Sequence, residues 1–221
     1  MSISCGSTAS TGPTEARSPS VADAITLSPV NSHSPLPPVR RIVTGHDSVG
    51  QAIFEADDLL TAFDSRRAVA AVTKRKQEAH TARNPGESGI INLFRTDGFP
   101  APVQGPWTEV NGKAIPLCAH DGTTLRVVDL PPGYASPMHR TQSVDFCVVL
   151  AGEVVLEVSN NAEKTVRAGE VCVLRGTMHA WHNRTTTIAR VLVFLVPAEP
   201  IEVNGEALEP CGFNGEDERM V

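Results

Sequence analysis

The sequence predicts an all-β protein whose main domain is a sandwich or barrel of antiparallel strands. Beyond residue 88, apolar segments of about four to eight residues, rich in Val, Leu and Ile, follow one another almost without interruption. Gly, Pro, Asn and Asp separate these segments every eight to twelve residues or so, as in such folds. The chain has 221 residues and is 41% hydrophobic, which is enough material for one good core.

The N-terminal segment, residues 1–36, differs from the rest of the chain in composition. Ser, Thr, Pro, Ala and Gly dominate it, and it has almost no periodic apolar pattern. Such a segment buries too little apolar surface to offset the entropy lost on ordering. We therefore expect a disordered leader.

Residues 37–88 are expected to form an N-terminal arm. The segment RRIVTGHDSVGQAIF (40–54) predicts two short strands around a turn that contains Gly and Asp. The residues that follow are rich in Ala, Arg, Lys and Glu, and Asp64 or Ser65 can cap a helix that runs to about residue 80. A mobile loop insertion is the alternative, because the apolar stripe of this segment is thin. Free strand edges in the arm can pair with a second chain, so we expect a homodimer.

Residues 89–200 contain the strands of the predicted barrel. The Asn-Asn pair in SNNAEK (159–164) tolerates positive φ, so it predicts a tight hairpin between Val154–Val158 and Lys164–Arg167. A glycine precedes the next strand in both LAGEV and RAGEV, which indicates a repeated barrel corner. Residues 201–221 are expected to be an acidic tail with a loose end. The strand segments are GIINLF, KAIPLCA, TTLRVVDL, VDFCVVLAG, EVVLEV, EKTVRAG, EVCVLRG, HAWHN and IARVLVFLVP.

Composition and charge exclude several classes of partner. No apolar run approaches the roughly 18 residues of a membrane span, and the N-terminus lacks the pattern of a secretory signal, so we expect a soluble, cytoplasmic protein. The net charge is −6 and Lys and Arg are scattered, which argues against nucleic acid and anionic membranes as partners. A small-molecule substrate remains the expected partner.

The cysteines do not predict a disulfide framework or a zinc knuckle. They are five in number, widely spaced and free of C-x-x-C pairs. Two of them lie inside apolar strand segments, where we expect buried, inert thiols. The five are Cys5, Cys118, Cys147, Cys172 and Cys211.

Two strand segments carry the candidate functional residues. Because side chains alternate between the faces of a strand, SPMHRTQSVDFCVVLAG (136–152) places an imidazole, two hydroxyls, a carboxylate and a thiol on one face. The segment RGTMHAWHN (175–183) places His179, Trp181 and Asn183 on a common face. Each segment thus delivers one inward histidine. The residues of the first face are His139, Thr141, Ser143, Asp145 and Cys147.

These segments resemble the two motifs of the cupin family. The first family motif is a glycine, five residues, His-x-His, three or four residues, Glu, six residues and Gly. In this sequence it is Gly133, His139, Thr141, Asp145 and Gly152 at matching spacing, with Thr141 at the second histidine and Asp145 at the glutamate.

The second family motif is matched with two departures. It begins at Gly169, reaches Gly176, and continues to His179 and Asn183. It is one residue shorter than usual between Gly169 and His179, and it lacks the usual proline. The resemblance implies a double-stranded β-helix, or jelly-roll, barrel.

A narrower resemblance is to cupin proteins of fungal natural-product pathways. The stretches INLFRTDGFP, MHRTQSVDF and RGTMHAWHN carry it, and Thr and Asp are usual in that subgroup at the positions of Thr141 and Asp145. Some members resemble enzymes that dehydrate a hydroxymethyl polyketide to a quinone methide and guide a hetero-Diels–Alder addition. This implies a secondary-metabolite enzyme.

The same three residues allow a metal-independent or a metal-dependent enzyme. His139, His179 and Asp145 form an acid–base set, since a histidine with a pKa near 6.5 exchanges protons at neutral pH and a neighbouring carboxylate favours its protonated form. We favour dehydration, isomerisation or cyclisation, including hetero-Diels–Alder cyclisation, of a polyketide-derived substrate without a cofactor.

Two His and one carboxylate are also the ligands of non-haem iron(II) oxygenases, so an enzyme that uses iron or another divalent metal is the first alternative. Two features weigh against it. The hydroxyl of Thr141 is a poor ligand, and Asp145 is one methylene shorter than Glu where ligand distances tolerate about 0.2 Å. A non-catalytic small-molecule binder is the second alternative.

Four residues are expected to contact the substrate: Thr141, Trp181, Arg95 and Cys147. Trp181 can stack on a flat substrate or simply fill the core. Arg95 can bind a substrate oxygen or form a surface ion pair. His182 should point outward, and Asn183 should tie down a turn.

Overall fold

The computed structural model describes residues 36–64, 88–113, 115–208 and 210–211, and all regular structure in these ranges is β. The leader predicted for residues 1–36 lies outside the described residues, apart from Leu36. The helix or loop expected from Asp64 or Ser65 to about residue 80 lies outside them as well, beyond Asp64. In the part of the chain that is described, no helix has the length and apolar character to cross a membrane.

Thirteen strands are present in the described ranges. Those of the N-terminal arm are β1 (Val39–His46), β2 (Ala52–Leu60) and β3 (Phe63–Asp64). The others are β4 (Gly89–Arg95), β5 (Thr124–Leu130), β6 (Ser143–Ala151), β7 (Glu153–Val158), β8 (Glu163–Arg167), β9 (Val171–Arg175), β10 (His179–His182), β11 (Ala189–Pro197), β12 (Glu202–Val203) and β13 (Glu206–Ala207).

Two antiparallel sheets enclose the main core. The larger has the order β3-β4-β5-β11-β6-β9 and the smaller the order β10-β7-β8. Buried side chains from both sheets pack together between them, which is the jelly-roll arrangement that the sequence predicted. The fold class is therefore confirmed. These core residues are Leu130, Cys147, Val149, Val154, Val166, Leu174, Ala189 and Val191.

A second apolar cluster lies on the other face of the larger sheet, where the arm packs. Leu60 of β2 contacts residues of β4 and β5 there, including Ile91, Leu93 and Val127. The buried Arg41 of β1 fixes this packing, because it donates to the backbone carbonyl of Leu93 at 3.1 Å. Its guanidinium also lies 4.5 Å from the ring centroid of Trp107.

The predicted turns are confirmed at two places. β7 and β8 pair antiparallel, and Asn161 between them has φ 61°. Gly152, ahead of β7, has φ 73°, and a Cβ there would lie 3.1 Å from the Cα of Ala189. Only glycine combines this backbone angle with such a close approach.

One local prediction differs from the structure. The segment KAIPLCA is irregular where described, because Pro116 has no N–H for a ladder and Arg126 takes the carbonyls of Pro116 and Leu117. In the tail, β12 and β13 form a hairpin and the backbone N–H of Arg140 donates to the carbonyl of Cys211, while the loose end expected after Cys211 lies outside the described residues.

Candidate active site

The candidate site lies where two paired segments pass from one sheet to the other. β6 pairs with β9 in the larger sheet, while the residues just before β6 pair with β10, a strand of the smaller sheet. The backbone N–H of Gly176 donates to the carbonyl of Ser143 at 2.9 Å at this corner. Gly176 has φ 59°, a value that favours glycine.

The corner brings the two histidines of the sequence motifs together. His139 and His179 are direct backbone partners, and each N–H donates to the other's carbonyl at 2.8 Å. Their ring centroids are 4.2 Å apart, with an angle of 52° between the ring planes. Both side chains are buried, so the two imidazoles form one unit inside the barrel.

Hydrogen bonds to the backbone fix the same tautomer for both imidazoles. Nδ1 of His139 lies 2.9 Å from the carbonyl oxygen of Pro137, and Nδ1 of His179 lies 2.8 Å from that of Thr177. A carbonyl oxygen only accepts, so each Nδ1 carries the hydrogen. In a neutral ring Nε2 is then the basic nitrogen.

Both histidines are neutral at neutral pH. Burial lowers the pKa of His139 to about 4, and the interaction with His179 lowers it as well, while the hydrogen bond to Pro137 and the charge of Asp145 each raise it by less. Burial also lowers the pKa of His179. The expectation that Asp145 keeps a histidine protonated is thus corrected, because desolvation outweighs the attraction of the carboxylate.

The carboxylate of Asp145 belongs to a separate hydrogen-bond set. Ser143 Oγ donates to Oδ1 at 2.5 Å, and Thr141 Oγ1 donates to Oδ2 at 3.1 Å. Burial raises the pKa of Asp145, and the two hydroxyl bonds oppose this shift. Thr141, at the second histidine position of the motif, therefore acts as a hydrogen-bond donor to the carboxylate.

These residues do not fit a three-ligand metal site. Within the described ranges, no group of three or more His, Cys, Asp or Glu is arranged to hold a metal ion. Each oxygen of Asp145 already accepts a hydroxyl hydrogen bond, and a neutral hydroxyl stands where a further imidazole would be needed.

The remaining predicted site residues have different surroundings. Cys147 is 1% exposed, and a hydrogen bond with Cys172 together with burial raises the pKa of its thiol. Trp181 packs on the core and meets the His179 ring edge-on, with centroids 6.1 Å apart. Arg95 donates from Nε to Asp97 at 2.8 Å, which is the ion pair that the sequence left as the alternative.

Two further expectations concern the end of β10. Asn183 ties down the turn as predicted, because its Nδ2 donates to the carbonyls of Leu130 and Thr187. His182 alternates with the core residue Trp181 and so lies on the opposite face of β10, where its Nε2 is 2.7 Å from a carboxylate oxygen of Glu157.

Sequence reasoning missed a polar group on the inner face of β4 and β5. Asn92, Thr124 and Arg126 are at most 2% exposed, and each has one buried polar atom without a partner among the described residues. The available signal was the period of two in TTLRVVDL, which places Thr124 and Arg126 on the same face as the apolar Val128. A charged residue at such an inward position is unusual.

Comparison with known proteins shows that the chain belongs to the cupin family. The cupin domain profile matches residues 126–195. A protein of the oryzines biosynthesis cluster of Aspergillus oryzae, protein J, is 31% identical over 179 residues, which cover 78% of this chain and 90% of that protein.

Other relatives also come from filamentous fungi. A cupin-domain-containing oxidoreductase of Aspergillus ruber is 30% identical over 77% of this chain and 78% of its own length. Phomopsin biosynthesis cluster protein D of Diaporthe leptostromiformis is 44% identical over 88 residues, so the match spans 39% of this chain and 47% of that protein. Among solved structures, the polyketide cyclase of Streptomyces resistomycificus is 20% identical over 66% of this chain and 86% of its own, with a TM-score of 0.38.

Proposed function

We propose that this protein is a natural-product enzyme that removes water from an acidic, polyketide-derived hydroxymethyl substrate without a metal. The observation that carries the proposal is the buried pair of neutral imidazoles, His139 and His179, whose Nδ1 atoms are both committed to backbone carbonyls. Relatives named for the oryzines and phomopsin biosynthesis clusters support a place in natural-product biosynthesis.

The proposed reaction moves one proton out of the substrate and back. Nε2 of one imidazole takes the proton of a phenol or enol O–H, and the electron pair of that oxygen expels the hydroxyl from the neighbouring hydroxymethyl carbon. The imidazolium then gives the same proton to the departing hydroxyl, which leaves as water. The product is a quinone methide, which the barrel can hold against an alkene for cyclisation.

The lowered histidine pKa defines what the substrate must be. With a pKa of about 4, His139 is a weak base, so the proton that it takes must be acidic, as in a phenol next to a carbonyl or an enolised β-dicarbonyl. The same low pKa makes the imidazolium a strong acid toward the departing hydroxyl. Burial thus favours the second proton transfer and limits the first to acidic substrates.

The test uses a 2-hydroxybenzyl alcohol with a carbonyl next to the phenol, and ethyl vinyl ether as the trapping alkene. The variants His139→Gln and His179→Gln should each lower the rate of chroman formation by about 100-fold or more, because positioned acid–base groups contribute that much. The exposed His120 gives a matched control, His120→Gln, which should leave the rate unchanged. Full turnover in both site variants would contradict the proposal, and a wild-type protein that does not accelerate chroman formation would favour a non-catalytic binder.

A metal-dependent oxidoreductase is the second candidate, because several relatives are named cupin-domain-containing oxidoreductases. Its ligands would be His139, His179 and Asp145. Metal analysis of the purified protein, followed by an assay after chelation, separates the two candidates. We expect dehydration to survive chelation, and loss of activity that added iron restores would support the oxidoreductase.

A further inference from the structure

The wall of the barrel formed by β4 and β5 holds a buried arginine without a carboxylate partner in the described residues. Arg126 is 2% exposed, and its Nη2 donates to the carbonyls of Pro116 at 2.9 Å and Leu117 at 3.2 Å. Its Nε is buried and has no hydrogen-bond partner there. Burial lowers its pKa to about 10, so the guanidinium remains charged at neutral pH. A buried charge that is only partly satisfied is costly unless a ligand completes its contacts.

Two neighbours of Arg126 also have a buried polar atom without a hydrogen-bond partner among the described residues. Thr124 is two residues away on the same face of β5, and Asn92 is the cross-strand partner of Arg126 on β4. Thr124 Oγ1 and Asn92 Oδ1 are buried without partners among the described residues. Nδ2 of Asn92 is already used, since it donates to the carbonyl of Lys113 at 3.1 Å. The group therefore offers a charged N–H, a hydroxyl and one amide oxygen that can only accept.

This polar group faces the same interior as the proposed catalytic residues. Thr124 pairs with Leu195 of β11, and Leu195 pairs with Asp145 of β6, so the three residues share one row and one face of the sheet. Two strand spacings separate Thr124 from Asp145, or about 10 Å. Burial lowers the pKa of Arg126, and the charge of Asp145 opposes this shift. One substituted aromatic ring that lies over Leu195 spans such a distance.

We infer that Arg126, Thr124 and Asn92 form a binding site for a carboxylate that has a hydroxyl beside it, the pattern of a 2-hydroxybenzoate. The carboxylate accepts from Arg126 Nε and the hydroxyl of Thr124, and the neighbouring hydroxyl donates to Asn92 Oδ1. This inference rests on the proposed function, which identifies the site. It adds that the substrate is an aromatic hydroxy acid anchored opposite the histidines. The anchor would orient the ring so that a second phenol hydroxyl, away from the carboxylate and beside the hydroxymethyl group, reaches the histidines for proton transfer.

Binding, rather than turnover, tests this inference. Salicylate and its neutral isostere salicylamide are titrated calorimetrically into the full-length protein. We expect salicylate to bind at least about tenfold more tightly than salicylamide, because a charge-assisted hydrogen bond is lost in the amide. Equal affinity for the two compounds would overturn the inference. If salicylate does not bind, the inference is overturned as well, and water is then the partner of the three polar side chains.

Variants assign the affinity to the named residues. Arg126→Gln should weaken salicylate binding about tenfold or more, and Arg184→Gln, at an exposed arginine paired with Glu163, should not change it. Should Arg126→Gln fail to fold, Thr124→Val removes a single hydroxyl at nearly constant volume and should weaken binding about threefold, while Thr124→Ser retains it. Unchanged salicylate affinity in Thr124→Val or in a folded Arg126→Gln would contradict the inference.

The histidine variants separate this inference from the proposed reaction. His139→Gln should still bind salicylate, because the anchor lies on another strand. A protein that binds salicylate through Arg126 yet catalyses no dehydration would retain the anchor and lose the proposed function. Dehydration that depends on His139 but not on Arg126 would retain the proposed function and contradict the anchor.

Discussion

At the residue scale, the chemistry of the site follows from how each polar side chain is satisfied. The carbonyls of Pro137 and Thr177 each occupy one imidazole nitrogen, which leaves Nε2 as the basic atom in both rings. Thr141 and Ser143 occupy the carboxylate of Asp145 instead of the rings. The imidazoles are therefore held by the backbone, and the carboxylate is held by two hydroxyl groups.

The buried His139 should make the stability of the protein depend on pH. Its pKa is 6.5 in the unfolded chain and about 4 in the folded protein, so between these values the unfolded chain binds a proton that the folded protein does not. Stability is therefore complete above pH 6.5 and falls as the pH drops through this window, by about 2 kcal/mol at pH 5. Urea unfolding at pH 8 and pH 5 measures the loss.

His139→Gln removes this titration, so the variant should lose less stability than the wild type between the two pH values. The exposed His120 again gives the control, and His120→Gln should keep the dependence of the wild type. The same pH dependence in the wild type and in His139→Gln would show that the histidine is not desolvated.

The residue scale also shows what sequence can and cannot supply. The positions of His139, His179 and Asp145 were predictable, because motif spacing and strand alternation are local properties. The protonation states were not, since they depend on burial, and burial depends on the packing of both sheets. The inward position of Arg126 was available from the period of two in TTLRVVDL, but its grouping with Asn92 depends on the register of β4 and β5, which no local pattern encodes.

At the element scale, the period of two identified the strands well, and tertiary contacts explain the exceptions. β5, β6 and β11 are rich in β-branched residues and lie where the apolar runs predict them. The run KAIPLCA has the composition of a strand, but its carbonyls serve a buried guanidinium instead of a ladder. The β12–β13 hairpin was missed because its strands have two residues each and are exposed.

Gly152, the residue before β7, offers a test at this scale. Gly152 and Gly169 both have positive φ, but a Cβ would contact Ala189 only at Gly152, and at Gly169 it would meet nothing within 4 Å. Gly169→Ala should therefore cost about 1 to 2 kcal/mol of unfolding free energy from the backbone alone. Gly152→Ala should cost about 1 kcal/mol more, because the methyl group must displace β11. Urea unfolding of both variants measures the difference. Equal losses of unfolding free energy would refute the predicted steric contact of the Gly152→Ala methyl group with β11.

At the scale of the whole molecule, two apolar surfaces remain uncovered in the described residues. One is on the arm hairpin, where Phe54 is 77% exposed, and the other is on the outer face of β6 and β9, where Val173 is 50% exposed. β9 is also the edge strand of the larger sheet. We predict a homodimer in which the arm of each chain covers the β9 face of the other, since each patch then loses its contact with water.

Light scattering with size-exclusion chromatography measures this assembly. Phe54→Ser and Val173→Ser should each shift the wild-type dimer toward monomer, whereas Val203→Ser, at an exposed valine on β12, should not. A wild-type protein that is monomeric at all concentrations would contradict the prediction.

The direct backbone pairing of His139 with His179 has a consequence for how such a protein can diversify. Both rings belong to one backbone-paired residue couple, so the main-chain geometry sets their spacing and the side chains of the pocket do not. Substitutions on the remaining walls can then reshape the chamber while the two imidazoles keep their spacing. Related chains could therefore share one imidazole pair and differ in the molecules that their chambers accept.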